Sequence, residues 1–122
     1  MNIYTSYYAK VPKINIENYC LIRVSKSKPA WLDGILITGL PVLYPHWDLI
    51  NDWKNGLITW DEYTERYLYQ LSFINREEII GRLHELSNGK DIILLCYESN
   101  DKYCHRHILA DWLGYGVKEL IL

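Results

Sequence analysis

Six residues, Asp91–Cys96, constrain the architecture more than any other stretch. They read Asp-Ile-Ile-Leu-Leu-Cys. A strand with one wet face alternates apolar and polar residues; this run does not. Four large aliphatic residues in succession imply burial on both faces, as in a parallel sheet covered on each side. A second patterned run, Tyr103–Leu113, follows within a few residues and reads as a helix. Ile108, Leu109, Trp112 and Leu113 form its apolar stripe, and Asp101 can cap it. Strand, short loop and helix in that order argue for an α/β fold.

The rest of the chain fits that frame. Ile3–Tyr8 is rich in β-formers and predicts a first strand ending near Ser6 or Tyr7. Lys10–Asn18 carries Pro12 and predicts a connection. Tyr19–Val24 predicts a second strand, with Leu21, Ile22 and Val24 buried and Arg23 toward a wetter face or the strand end. Pro29 blocks its ladder from continuing. Trp31–Pro45 holds Gly34, Gly39, Pro41 and Pro45, and predicts an irregular apolar loop with a short strand at Ile35–Ile37. His46–Lys54 predicts a short helix stopped at Asn55-Gly56.

Two helix starts are explicit. Thr59 with Glu62 three residues later is a capping-box pattern, opening a helix to about Leu71. Asn75 followed by Glu77 and Glu78 opens another, with Ile79, Ile80, Leu83 and Leu86 as its apolar stripe and Asn88-Gly89 as its stop. Val117–Leu122 predicts a last strand. The expected fold is a compact α/β three-layer sandwich with a mainly parallel central sheet of about four strands, and residues 1–122 form a single domain. No repeat or linker is visible.

Composition excludes several classes. A formal net charge of -2 gives no electrostatic case for whole-surface nucleic-acid binding. No apolar run approaches the roughly 20 residues that span a bilayer, and the first ten residues do not read as a signal peptide. No membrane partner is expected. Cys20, Cys96 and Cys104 form an odd set without CxxC spacing, which predicts reduced thiols and a cytoplasmic location.

Chemistry-bearing residues gather where the proposed strands end. In open α/β sheets, ligands bind at the carboxyl ends of strands. Tyr7 and Tyr8 after the first strand, Ser25 and Lys26 after the second, and Cys96 after the third are candidate substrate contacts. Cys104, in the first turn of a helix beside His105 and Arg106, has the setting that favours a thiolate and reads as a nucleophile or redox thiol. Its plain alternative is a small buried residue, and Cys96 reads more readily as core. Glu98 is the natural general acid or base; otherwise it is a loop charge or a partner for Arg106. Arg106 can grip phosphate or carboxylate, or else pair with Glu98 or Asp101. His105 and His107 lie two apart, so at most one faces the site.

Cys96, Cys104 and His105 have residue types that suit zinc. Eight residues separate the cysteines, however, and there is no second pair, so neither a metal nor a cofactor is expected. Trp31, Tyr44, Trp47, Trp53, Trp60, Tyr63 and Tyr67 could wall a groove that stacks bases, although core packing is the favoured reading for aromatics at helical spacing.

The stretch Leu94, Leu95, Cys96, Glu98, Cys104, His105, Arg106 resembles, in order and spacing, the signature of the domain of unknown function 488 (DUF488) family. Ile3-Tyr4-Thr5-Ser6-Tyr7 resembles that family's first strand. The family often shows Val-Asp-Val-Arg and then Pro in its second strand. Here Leu21-Ile22-Arg23-Val24-Ser25-Lys26 stands instead, with Pro29 further on, and Lys26 is the best substitute for the basic residue. The resemblance implies a compact α/β sandwich and supplies no reaction.

The residues themselves predict a small enzyme acting on a nucleotide-like or nucleic-acid substrate. Cys104, Glu98, Arg106 and His105 are its catalytic candidates. Tyr7, Tyr8, Ser25, Lys26 and Cys96 are its substrate contacts. The alternative is a non-catalytic module that binds an anionic small molecule or a nucleic-acid end.

Overall fold

The computed structural model describes residues 1–98 and 102–121. Its centre is a five-stranded, all-parallel sheet. The strands are β1 (Ile3–Tyr7), β2 (Tyr19–Arg23), β3 (Thr38–Gly39), β4 (Asp91–Cys96) and β5 (Lys118–Glu119). Their order across the sheet is β3-β2-β4-β1-β5. β4 therefore lies between β2 and β1, with Ile93 opposite Tyr4 on one side and Leu21 on the other. Ile92 through Cys96 are all buried, as the continuous apolar run requires.

Four α-helices complete the fold among the described residues: α1 (Trp47–Lys54), α2 (Trp60–Leu71), α3 (Arg76–Ser87) and α4 (His105–Leu113). They share one face of the sheet. Leu49, Tyr67, Leu83 and Leu109 join Ile22, Leu94 and Cys96 in one apolar cluster. Short 3-10 turns at Tyr8–Lys13 and Ala30–Leu32 cover the other face, where Val11 and Leu32 pack with Leu21, Ile93 and Leu95. The result is a three-layer sandwich with one thin layer.

Parallel crossovers are right-handed, so the direction of travel decides which face each connection covers. The steps from β1 to β2 and from β2 to β3 run one way across the sheet. The steps from β3 to β4 and from β4 to β5 run the other way. The first two connections therefore lie over one face, and the last two carry all four α-helices over the other. Between β2 and β4 the loops leave the carboxyl ends in opposite directions. That is a topological switch point, where α/β sheets open a crevice.

Local signals account for most boundaries. The Thr59 hydroxyl accepts from the Glu62 amide at 3.1 Å, and the Glu62 carboxylate accepts from the Thr59 amide at 3.0 Å, completing the capping box of α2. Thr59→Ala removes the hydroxyl half of it. It is expected to cost about 1 kcal/mol in urea unfolding, with the fold unchanged by circular dichroism. The Asn75 side chain caps α3 through the Glu78 amide at 3.1 Å. That helix ends at Asn88 and Gly89, both in left-handed conformations.

Three expectations are corrected. The sheet has five strands, because Lys118–Glu119 and Thr38–Gly39 are both strands. The third strand is Thr38–Gly39 rather than Ile35–Ile37. It pairs with Ile22 and Arg23, and a Cβ at position 39 would push against the Tyr44 hydroxyl and the Arg23 guanidinium. Helix α4 begins at His105 with Cys104 in the N-cap position, not at Tyr103. The proposed cap Asp101 lies outside the described residues. No helix among the described residues is long and apolar enough to cross a membrane.

Candidate functional site

The switch point between β2 and β4 holds a cavity of about 420 Å³. Ser25, Lys26 and Ser27 from the loop after β2 line one side. Cys96, Tyr97 and Glu98 from the end of β4 line the floor, and Tyr103, Cys104 and His105 follow from the entry to α4. The opposing wall comes from Ile50, Trp53, Lys54, Trp60 and Tyr63 of α1 and α2. Six of the nine residues expected at a site thus share one hollow: Ser25, Lys26, Cys96, Glu98, Cys104 and His105.

The other three stand behind it. Tyr8 is buried, and its hydroxyl shares a 2.6 Å hydrogen bond with the Ser25 hydroxyl. Burial raises its pKa to about 12, partly offset by the Ser25 hydrogen bond. Tyr8 also packs edge-on against Tyr97 at 4.9 Å. It therefore shapes the two loops rather than lining the cavity. Arg106 is 0% exposed. Among the described residues its carboxylate partner is Glu119: its Nε and Nη2 donate to the two oxygens of Glu119, each at 3.0 Å. Its Nη1 donates to Cys96 Sγ at 3.2 Å and to the Glu98 carbonyl oxygen. The Tyr7 ring lies 5.3 Å from its charge centre.

Arg106 thus ties the last strand to the end of β4 and brings positive charge to the cavity floor from below. The expected pairing with the Glu98 carboxylate is corrected. The loop carbonyl, not the side chain, meets the guanidinium. Because Glu119 comes from β5, only the folded sheet brings it within reach. Arg23 does a similar job on the other loop, donating from Nη1 to the Ser25 carbonyl at 3.3 Å and to the Lys26 carbonyl.

The expectation of three reduced thiols is also corrected. Cys96 and Cys104 form a disulfide, because the end of β4 and the N-cap of α4 meet at the cavity floor. Cys20 remains a free thiol, donating to the Leu86 carbonyl at 3.3 Å near the other end of β2. His105 is buried, and its Nε2 donates to the Val24 carbonyl at 2.7 Å. Since a carbonyl only accepts, that bond leaves the lone pair on Nδ1. Burial lowers the His105 pKa to about 4, against the Val24 hydrogen bond, so the ring is neutral at ordinary pH.

Sequence patterns gave only part of the aromatic wall. Trp53, Trp60 and Tyr63 line the cavity, whereas Trp31 and Trp47 are exposed on the surface and Tyr67 is in the core. Trp60 is stacked between Tyr63, at 4.5 Å and 14°, and Tyr103, at 5.0 Å and 24°. Trp53 meets all three rings edge-on. Tyr103, Tyr97 and Lys54 had no periodic signal to reveal them. Lys26 and Lys54 are exposed, and neither forms a salt bridge among the described residues.

A larger hollow, about 500 Å³, lies between the Pro41–Leu43 turn and α2. Its Arg66 is already paired, with Asp52 at 2.7 Å and Asp48 at 3.7 Å.

The Cys-Glu-Cys-His-Arg segment, the switch-point cavity and the parallel sheet can be set beside known proteins. A protein-family model, DUF488-N3a, described as the active DUF488-N3 subclade, matches residues 15–116. That span contains β2, β3, β4, every helix and every cavity residue. No curated protein and no solved structure matches the chain. On a match covering most of its length, the chain belongs to the DUF488 family.

Proposed function

We propose that the switch-point cavity takes a nucleotide-like ligand, free or at a nucleic-acid end, and that the protein is an enzyme acting on it. One observation carries this reading: an aromatic stack that ends in the exposed Tyr103 and two lysines outside any described salt bridge, Lys26 and Lys54, line one hollow. Aromatic faces hold bases with little regard to sequence, worth about 1–3 kcal/mol per base. Lys26 and Lys54 supply charge for a phosphate, and the buried Arg106 adds positive potential beneath them. Glu98, exposed at the rim, is the proton-transfer group in this reading. Cys104 cannot attack while bonded to Cys96, so its part in the oxidised protein is to shape the floor. The family model's description as active is in keeping with a working site.

The Glu98 carboxylate has no side-chain hydrogen bond among the described residues. That favours, as a second reading, a module that binds the same ligand without turning it over.

Nucleoside mono- and diphosphates titrated against tryptophan fluorescence test both readings, since Trp53 and Trp60 sit in the wall. Tyr103→Ala, which removes the exposed ring at the open end of the stack, is expected to weaken binding about tenfold or more. Absence of binding by every nucleotide, or binding indifferent to Tyr103→Ala, overturns the proposal. Glu98→Gln then separates the two readings. An enzyme loses about 10²–10⁴-fold in turnover with affinity nearly unchanged. A binder shows no turnover even as wild type.

A further inference from the structure

The floor of the cavity carries a second kind of chemistry. We propose that, once reduced, Cys96, Cys104 and His105 bind one divalent metal ion of the zinc type, with its remaining coordination position facing the cavity. The inference is independent of the nucleotide reading.

Four observations support it. The two sulfurs and an imidazole nitrogen all lie within 4.8 Å of one another, on buried residues. The nitrogen that faces the sulfurs is the right one. His105 Nδ1 lies 3.9 Å from Cys104 Sγ, and it holds the lone pair because Nε2 donates to the Val24 carbonyl. A ring nitrogen fixed by a backbone carbonyl on its far side is the usual arrangement of a metal-binding histidine. Tetrahedral bond lengths of about 2.3 Å to sulfur and about 2.0 Å to nitrogen put such a pair about 3.6 Å apart, close to what is seen.

The backbone spacing also suits an ion. The Cα atoms of Cys96 and Cys104 are 7.5 Å apart. Bridged cysteines usually sit about 4.4–6.8 Å apart, whereas two thiolates sharing an ion need more room. Lastly, Arg106 Nη1 donates to Cys96 Sγ at 3.2 Å, a charge-assisted contact that favours the thiolate.

The charges balance. Two thiolates and a divalent ion sum to zero beside a neutral imidazole, as a buried site requires. All three residues line the cavity, and no fourth His, Cys, Asp or Glu joins them among the described residues. Three protein ligands with an open position are the pattern of a site that meets substrate or water rather than one that only holds the fold.

The disulfide and the ion exclude each other. A phosphine reductant opens the Cys96–Cys104 bond by taking oxygen from water. It leaves as the phosphine oxide, and the two sulfurs take up the two protons as thiols. Metal binding then releases those protons to solvent.

Cobalt(II) is the probe. The full-length protein, reduced with a phosphine and handled without oxygen, is titrated with cobalt(II) chloride. One equivalent is expected to bind, with a thiolate-to-cobalt charge-transfer band and the intense visible bands of tetrahedral cobalt, all removed by one equivalent of zinc. Cys20→Ser is expected to retain these spectra. Cys96→Ser, Cys104→Ser and His105→Ala are each expected to lose at least tenfold in affinity. The wild-type titration decides the matter even if a variant fails to fold. Absence of the charge-transfer band in reduced wild type overturns the proposal. So does a band of equal strength in the oxidised protein or in the Cys96→Ser, Cys104→Ser double variant.

Discussion

Glu119→Ala is expected to destabilise the protein by about 3–5 kcal/mol, the range seen when one partner of a buried ion pair is removed. The carboxylate accepts two hydrogen bonds from Arg106 and a third, at 2.5 Å, from the Thr5 hydroxyl. Its own side chain is only 19% exposed, and that of Arg106 is 0% exposed. The substitution strips the carboxylate from a guanidinium that water cannot reach. Urea unfolding followed by tryptophan fluorescence measures the loss. A change below about 1 kcal/mol would class the pair with surface salt bridges and contradict the assignment. Arg106→Met combined with Glu119→Leu is expected to recover part of the loss, because both charges of the pair are then removed together. The damage in the single variant should also reach the cavity, since Arg106 touches both Cys96 and the backbone of Glu98.

Alkali is expected to unfold the protein cooperatively above pH 10. Burial raises the phenols of Tyr8, Tyr63 and Tyr67 above their ordinary value of 10.0, Tyr8 to about 12 and the other two further. A group whose folded pKa is raised stabilises fully below its unfolded pKa and loses that contribution as pH climbs through the folded value. The window therefore opens at pH 10. Two units on Tyr8 alone correspond to about 3 kcal/mol, a large share of the 5–15 kcal/mol of about this size of domain. Tyr67 has most at stake, because its hydroxyl donates to the Leu43 carbonyl at 2.7 Å inside the core. Phenolate absorbance and far-ultraviolet circular dichroism should change together for these buried tyrosines. Smooth titration of all the tyrosines near pH 10, with the dichroism unchanged, would contradict the prediction.

What could be read from the sequence was what depends on neighbours in the chain. The Thr59 and Asn75 caps involve residues three apart, and both were legible with their helices. The β4 run declared its double burial directly. The strand at Thr38–Gly39 was misplaced because its fit rests on Arg23 and Tyr44, neither adjacent to it. For Arg106, the sequence offered the nearby carboxylate of Glu98, whereas the fold supplies Glu119 from the far strand; Asp101, the other nearby carboxylate, lies outside the described residues. The cysteine spacing said nothing about contact, since only the fold brings the two sulfurs, eight residues apart in the chain, together. The aromatic wall was half legible. Trp60 and Tyr63, three apart, marked one side of α2, but no periodicity marks Tyr103 as the ring that completes the stack.

The placement of β4 has a consequence for how the chain comes together. β1 borders only β4 and β5, and β2 touches β1 nowhere. β1 therefore emerges from the ribosome before either strand that it pairs with. It must wait until a keystone made some ninety residues later wedges itself into the gap. Because that same keystone ends in the cavity floor, the pocket and the sheet are born in a single step.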